Sequence, residues 1–274
     1  MRTVKFAVLV LGFLTFFTDT VQAGTTPQDI EKIRSRGCLI VGMTQFDNIP
    51  FYWGKDQEVK GIDADIARRI ADYLGVPVKF NRDAKTFQEV VDKIGLAQID
   101  IAISKLSVTG PRMQAVKFTV PYVKLRQAMI VNRLWLSQTG AGQDAVQTIR
   151  NFTGTIAFVK NSSYDTFARV NFPDATYSPE ENWNTVVQGV ISGKFAAGFR
   201  DEFEIKRIAW DYPEAGLNTK TVTITDLSDN IAAAVDYRSE ALLSIANHVI
   251  TTEFNKIDVQ KLIKMTRAQT GVKK

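Results

Sequence analysis

The chain has 274 residues, of which 45% are hydrophobic, and it carries 34 basic against 29 acidic residues for a net charge of +5. The basic residues are scattered rather than clustered, which argues against a nucleic-acid surface. A single cysteine, Cys38, rules out an intramolecular disulfide. A single histidine, His248, leaves zinc binding and Ser-His or Cys-His catalysis without their usual residues. We therefore expect no metal and no cofactor.

The N-terminus has the pattern of an export signal. Basic Arg2 and Lys5 precede an apolar run over residues 6–17, and small residues surround Ala23. This order predicts a cleaved signal peptide over 1–23 and a periplasmic location. The apolar run is shorter than the ~20 residues that a membrane-spanning helix needs. No cysteine stands at the cleavage position, so a lipid anchor is not indicated.

About 250 residues remain, which is enough for two lobes with separate cores. Periodicity and turn residues predict these strands in chain order: 38–43, 76–80, 99–103, 155–159, 195–199, 221–225 and 231–235. The same reasoning predicts these helices: 62–74, 87–94, 164–170, 184–192, 239–254 and 259–266. A polar, glycine-bearing segment over 136–147 separates two runs of alternation.

Alternating strands and helices call for parallel sheets with helices on both faces. The pattern predicts an α/β protein with two lobes, the second inserted into the first, and two crossing strands as the hinge. The expected boundaries are 24–125 and 228–274 for the first lobe and 126–227 for the second. In open α/β sheets, ligands bind beyond the C-terminal ends of strands. Two such sheets that face each other would enclose a cleft.

The sharpest motif follows the strand predicted to end at Ser104. Lys105 and Ser107 come next, and a Thr109-Gly110-Pro111-Arg112 turn follows them. Arg112 brings a forked guanidinium that can hold a carboxylate through two parallel hydrogen bonds. Residue chemistry alone leaves a second interpretation open, in which this arginine is a surface residue or part of a structural ion pair.

That turn, with residues 118–122 (Phe-Thr-Val-Pro-Tyr) after it, resembles the signature of family 3 solute-binding proteins, the amino-acid receptors of ABC importers. Further segments follow in the family's order, at residues 38–42, 49–51, 61–67 and 193–202. The resemblance implies a type II periplasmic binding protein (Venus-flytrap) fold. It also implies capture of an amino acid or amino-acid-like ligand by lobe closure, without catalysis.

The resemblance also assigns roles to residues. The residue matching Arg112 binds the ligand's α-carboxylate, and the loop matching Ser104, Lys105 and Ser107 contacts both ends of the amino acid. The family's ammonium-binding carboxylate matches Asp201. An alternative is that Asp201 only caps a helix beginning at Glu202.

From the second lobe, the family's Gly-Thr-Thr turn matches Asn161-Ser162-Ser163. Its backbone N–H groups would open a helix at Tyr164 and form an anion site. Two departures from the family pattern stand out, because Asn161 replaces a glycine and Lys105 replaces a small residue. Lys105 would place a positive charge beside the expected ammonium pocket, which is unfavourable unless the ligand or Asp201 offsets it. We therefore hypothesise a ligand with a second anionic or strongly polar group that Lys105 meets.

The first lobe offers further ligand-binding candidates before its first helix. They are Gln45, Asn48, Phe51 and Tyr52, a group in which aromatic rings alternate with polar side chains. In the family this region walls the side-chain pocket. Core packing remains the alternative for the aromatic members.

The expected partners are a small-molecule ligand, an amino acid or related acid, and the membrane subunits of an ABC transporter. We expect a monomer and no nucleic acid. Two alternative functions stay open. One is a cyclohexadienyl (prephenate or arogenate) dehydratase-like enzyme, with Glu202 or Asp47 as general acid. The other is a sensing module for a membrane receptor.

Overall fold

The structure is a computed structural model that describes residues 26–55, 57–139 and 145–270. The predicted signal peptide, 1–23, lies outside the described residues. The strands are β1 (Leu39–Thr44), β2 (Val78–Ala84), β3 (Ile101–Ala102), β4 (Lys117–Phe118), β5 (Val123–Asn132), β6 (Thr155–Val159), β7 (Thr176–Glu180), β8 (Ala197–Asp201), β9 (Thr219–Ile231) and β10 (Ala234–Val235).

Helices cover both halves of the chain. They are α1 (Gln28–Arg36), α2 (Ile62–Leu74), α3 (Phe87–Gly95), α4 (Gly110–Met113), α5 (Arg133–Thr139), α6 (Ala145–Arg150), α7 (Ser163–Asn171), α8 (Trp183–Ile191), α9 (Glu202–Asp211), α10 (Ala215–Asn218), α11 (Glu240–Glu253) and α12 (Val259–Thr270). Within the described residues, no helix is both long and apolar enough to cross a membrane.

The strands form two sheets, each with five strands. The first has the order β2-β1-β3-β10-β4, and the second has the order β7-β6-β8-β5-β9. Both are mixed rather than parallel as predicted. In the first sheet β1 runs parallel to β2 and β3, whereas β10 is antiparallel to its neighbours. The reason is topological, because β10 follows the strand that brings the chain back from the second sheet.

The second sheet shows the same mixture. Its strand β6 is parallel to β7 and β8, while β5 is antiparallel to β8 and β9. The two long strands β5 and β9 pair from Val123↔Ile231 to Asn132↔Thr219, with an irregularity between Arg126 and Gln127. They carry the chain out of the first sheet and back to it. The predicted inserted lobe with two crossing strands matches this path.

Helix α2 shows how the sequence specifies a sheet-covering helix. Ile62, Ile66, Ile70 and Leu74 recur every four residues, and all are buried. They pack in one core with β1. Gly75 ends the helix in the left-handed conformation, with φ 71°, as its glycine predicts.

Both faces of each sheet are covered. In β5, alternate residues go to opposite cores: Met129 and Val131 join one cluster, and Ala128 and Ile130 join another. In the first sheet, Val41 faces the α2 side, whereas Ala102 and Val90 belong to a cluster on the α3 side. This two-sided burial explains why the strands read as continuous apolar runs.

Candidate functional site

A cavity of about 500 Å³ lies between elements of the two sheets, a size typical of small-molecule sites. Its charged lining residues include Lys105, Arg112, Asp201, Glu204 and Asp229. Lys105 comes from the loop after β3 and Arg112 from the short helix α4, and the others come from the end of β8, from α9 and from β9. The cavity therefore draws on both halves of the fold, at strand ends as the sheet architecture predicts.

Arg112 lies in the short helix α4 and is buried, with 4% of its surface exposed. Thr109 caps this helix by accepting the N–H of Arg112 on its side-chain oxygen. The guanidinium donates Nη1 to the carbonyl oxygen of Ser107 across 3.1 Å. Among the described residues it forms no ion pair. Burial lowers the pKa of Arg112 to about 10, so it remains a cation at neutral pH.

Lys105 pairs with two acidic residues of the second lobe. Its Nζ lies 3.0 Å from Asp201 Oδ2 and 2.8 Å from Glu204 Oε1. The three side chains are 4%, 3% and 7% exposed, so the whole cluster is shielded from water. Burial opposes ionisation of Glu204, but the positive charges of Lys105, Arg200 and Arg207 hold its pKa below the ordinary value. The Lys105 ammonium therefore already has two anionic partners within the protein.

Asp201 uses both of its carboxylate oxygens. Oδ2 accepts from Lys105, and Oδ1 accepts the backbone N–H of Glu204 at 3.0 Å, which caps α9. Asp201 therefore does cap the helix that begins at Glu202, as the alternative interpretation of the sequence expected. The hypothesis of a second anionic group on the ligand gains no support, because Lys105 meets carboxylates of the chain instead.

The loop that carries Lys105 is held by α2. The Lys105 backbone N–H donates to Asp63 Oδ2 across 2.7 Å, and the Tyr122 hydroxyl donates to Asp63 Oδ1 across 2.9 Å. Lys105 has φ 46°, a conformation that non-glycine residues seldom adopt. Burial raises the pKa of Asp63 to about 7, and the hydrogen bonds and the Lys105 charge counter only part of that rise.

The turn before α7 reaches across the cleft. Ser163 Oγ donates to Ser107 Oγ at 2.9 Å, and Ser162 caps α7 by accepting the N–H of Tyr164. Asn161 adopts φ 57°, a left-handed conformation that asparagine tolerates better than most residues. This explains how an asparagine can stand where a glycine was expected.

Asp229 connects the crossing strand β9 to the cavity. Its Oδ2 accepts the Tyr164 hydroxyl across 2.7 Å. Burial and the negative charge of Asp201 raise the pKa of Asp229 to about 6, although Tyr164, Ser107 and Lys105 counter part of the rise. Asp229 also interacts electrostatically with Arg112. The charge of Asp92 also acts on Arg112. The second oxygen of Asp229, Oδ1, is buried and has no hydrogen-bond partner among the described residues.

Aromatic side chains complete part of the cavity wall. Phe46 and Phe87 from the first lobe form an edge-to-face pair with ring centroids 5.5 Å apart, and Trp183 lines the cavity from α8. The guanidinium of Arg200 lies 5.1 Å from the Trp183 ring centroid. One region of the cavity therefore offers aromatic surface to an apolar part of a ligand.

Of the residues proposed from the sequence, seven line the cavity: Asn48, Lys105, Ser107, Arg112, Ser162, Ser163 and Asp201. Four others are not in its lining: Gln45, Phe51, Tyr52 and Ser104. Phe51 packs edge-to-face on Phe203 with centroids 6.1 Å apart, and lies under the Lys105 ammonium. Ser104 donates to the buried Tyr52 hydroxyl, and Gln45 is exposed. The core alternative therefore describes the environment of Phe51 and Tyr52.

Sequence reasoning did not single out Glu204, Arg207, Asp229 or the aromatic wall of Phe87 and Trp183. For two of these a signal was present. Glu204 and Arg207 follow Asp201 at intervals of three residues, which places all three along one side of the start of α9. Asp229 carried no such signal, because its position depends on the long pairing of β9 with β5.

The fold is that of type II periplasmic binding proteins. The amino acid ABC transporter substrate-binding protein AbpA from Streptococcus pneumoniae, solved bound to L-arginine, has a TM-score of 0.68 at 21% identity, covering 89% of this chain and 100% of that chain. The ancestral amino acid-binding protein AncCDT-1, a precursor of cyclohexadienyl dehydratase, has a TM-score of 0.65 at 22% identity, covering 87% and 98%. At these identities the likeness shows the fold.

The sequence itself matches the bacterial extracellular solute-binding proteins, family 3, over residues 39–264. The chain belongs to this family. A membrane-bound lytic murein transglycosylase F from Saccharophagus degradans is 27% identical over 146 residues, which cover 53% of this chain and 27% of that protein. The chain spans between 27% and 40% of the length of the curated relatives it matches.

Proposed function

We propose that this protein captures a small carboxylate-bearing solute, an amino acid or an amino-acid-like acid, for the membrane subunits of an ABC importer. It acts as a periplasmic monomer, with a signal peptide over 1–23. Its first lobe comprises 24–125 and 228–274, and its second lobe comprises 126–227. The names of two similar proteins, the arginine-bound AbpA and the ancestral amino acid-binding protein, agree with this ligand class.

The state of Arg112 carries the proposal. A guanidinium has five donors, and within the described residues this one uses a single donor on a carbonyl oxygen. It is buried, lines the cavity, and has no ion pair in the part of the chain that the structure describes. A buried cation with unused donors favours an anion that can accept two parallel hydrogen bonds, which a carboxylate does.

Lobe closure would follow from the contacts that span the cleft. Ser107 in the first lobe meets Ser163 in the second, and Lys105 meets Asp201 and Glu204. The strands β5 and β9, the continuous connection between the sheets, would serve as the hinge. A ligand held on Arg112 and on the α7 turn would favour the closed form, because it contacts both lobes only there.

The proposed role is non-catalytic. The two candidate general acids already have partners within the chain: Asp47 Oδ1 pairs with Arg82 at 3.0 Å, and Glu202 accepts the backbone N–H of Arg126 and pairs with Lys206. Incubation with prephenate or arogenate should yield no aromatic product. Formation of that product would support the dehydratase-like alternative. A sensing role would share the same cleft and differ in the membrane partner.

A thermal-shift screen of amino acids and related acids tests the proposal, because a ligand that binds only the folded state raises the melting temperature. We expect at least one acid to raise the melting temperature of the wild type. The same acid should not raise the melting temperature of the Arg112→Ala variant. Arg238→Ala is the matched control, because the Arg238 side chain is 84% exposed and pairs with Asp236 outside the cavity lining. Equal stabilisation of wild type and Arg112→Ala would contradict the site.

A further inference from the structure

A ligand's ammonium group could bind in the cavity only if a carboxylate of the wall were available to it. Six acidic residues are in the lining: Asp47, Glu181, Asp201, Glu204, Asp211 and Asp229. Five of them already form ion pairs within the described chain: Asp47 with Arg82, Glu181 with Lys160, Asp201 with Lys105, Glu204 with Lys105 and Arg207, and Asp211 with Arg207. A ligand ammonium would have to compete with these cations.

Of the five carboxylates that form ion pairs, Asp201 and Glu204 are the most deeply buried, and both oxygens of each have partners. Asp201 gives one oxygen to Lys105 and the other to the start of α9. Glu204 gives Oε1 to Lys105 and Oε2 to Arg207, at 2.8 and 3.4 Å. The Lys105 ammonium is also within 5.0 and 5.4 Å of the Phe51 and Phe203 ring centroids. Displacing it would leave a buried cation without its partners, which is costly.

Asp229, the sixth carboxylate, forms no ion pair among the described residues. Its Oδ2 accepts the Tyr164 hydroxyl, whereas its buried Oδ1 has no hydrogen-bond partner there. Its charge acts on the Arg112 guanidinium, so an ammonium brought to Asp229 would face that like charge. The wall thus offers unused donors at Arg112, and the one carboxylate without an ion pair lies where the guanidinium would repel an ammonium.

We infer that the cleft selects small organic acids that lack an α-ammonium group, such as α-hydroxy and α-keto acids. Lys105 supplies from the protein the positive charge that an amino acid would bring to Asp201 and Glu204. The ligand's carboxylate binds Arg112, and its apolar part packs on the aromatic wall of Phe46, Phe87 and Trp183. This inference rests on the proposed function and specifies its substrate class.

Calorimetric titration of the wild type tests the inference directly. The probes are the standard amino acids, each compared with the α-hydroxy and α-keto acid of the same side chain. We expect the hydroxy and keto acids, which lack the α-ammonium group, to bind at least about tenfold more tightly than the matching amino acid. The reason is that an ammonium left without a partner pays its full desolvation cost. An amino acid that binds as tightly as its hydroxy and keto counterparts would overturn the inference.

A Lys105→Ala variant provides the second test, because it vacates the position between Asp201 and Glu204. We expect it to gain amino-acid affinity by at least about tenfold and to reverse the preference. Lys105→Met is the matched control, since it removes the charge but keeps the volume filled, and it should gain no such affinity. Unchanged preference in a folded Lys105→Ala variant would overturn the inference.

The outcomes separate this inference from the proposed function. Amino-acid binding as tight as that of the hydroxy and keto counterparts, and abolished by Arg112→Ala, would leave the proposed function standing and refute the selection against an ammonium. Equally tight amino-acid binding that Asp229→Asn abolishes would also refute it, because Asp229 would then be the ammonium acceptor. If no compound of the three classes binds the folded wild type, the proposed function itself fails.

Discussion

The Lys105 backbone N–H and Asp63 Oδ2 lie 2.7 Å apart, so the start of α2 holds the loop that carries the cleft's central cation. Asp63 is fully buried and also accepts the Tyr122 hydroxyl. An unpaired buried donor costs about 1–3 kcal/mol. One carboxylate therefore stabilises two segments of the first lobe and fixes the left-handed backbone of Lys105.

We expect Asp63→Asn to lower the free energy of unfolding by about 1–3 kcal/mol, because the amide offers one acceptor atom where two donors converge. Urea denaturation measures the change. Asp65→Asn is the control on the same helix, since Asp65 is exposed and pairs only loosely with Arg68 at 3.5 Å. Equal effects of the two substitutions would contradict the anchoring role of Asp63.

Stability should depend on pH through the same residue. The pKa of Asp63 is raised by burial to about 7 in the folded protein, whereas an unfolded aspartate titrates near pH ~3.9. The folded state therefore binds more protons between these values, and this group's contribution makes stability fall as the pH rises from about 4 through 7. Denaturation midpoints measured across that range should decline less steeply in Asp63→Asn. Identical slopes would argue against the raised pKa.

Gly61 precedes α2 with φ 109° and ψ 174°, a conformation reserved almost entirely for glycine. A Cβ there would lie 2.4 Å from the carbonyl oxygen of Phe51, which is backbone and cannot move aside. We expect Gly61→Ala to cost at least about 2 kcal/mol of stability. Gly95→Ala is the matched control, because a Cβ at Gly95 meets no atom within 4 Å. Thermal denaturation measures both variants. Similar losses of stability in the two would show that the backbone conformation and close contact at Gly61 are not what the substitution disturbs.

Ligand binding should be coupled to Asp229, whose pKa is raised to about 6 by burial and by Asp201. A ligand carboxylate on Arg112 adds negative charge nearby and raises that pKa further. Binding then takes up a proton, and affinity falls as the pH rises above about 6, by at most about tenfold per pH unit for a single proton.

Calorimetry in buffers of different ionisation enthalpy measures this proton uptake. Asp229→Asn should bind with no such dependence. Affinity that stays flat in the wild type between pH 5 and 8 would show that Asp229 does not titrate with binding.

Most of the regular structure was predictable because its signals are local. The strand predicted over 155–159 is β6 with the same bounds, and the helices predicted over 62–74 and 87–94 are α2 and α3 within one residue. Apolar periodicity and terminal glycines were sufficient there. The predicted ranges did not include helix α1, the long strand β5 or strand β7. In β7 the sequence Thr-Tyr-Ser-Pro-Glu is polar and contains a proline. It is an edge strand, paired with β6 alone among the described strands, and a proline is tolerated at an edge.

Seven of the eleven residues expected in the site line the cavity, and their contacts with a ligand stay a prediction. Arg112, Ser107 and Asp201 could be assigned to the cavity because strand ends and a family motif mark them. The ion pair of Lys105 with Asp201 joins residues 96 positions apart. Such a pairing depends on how the two lobes meet, which no local pattern in the sequence specifies.

The proposed function requires that a carboxylate binds Arg112 inside the cleft. A crystal structure of the protein with the tightest-binding acid from the screen would show whether it does. We expect two hydrogen bonds from the Arg112 guanidinium to the ligand's carboxylate, with Lys105 still paired to Asp201 and Glu204. A ligand bound away from Arg112, or one whose own ammonium replaces Lys105 between the two carboxylates, would contradict the account.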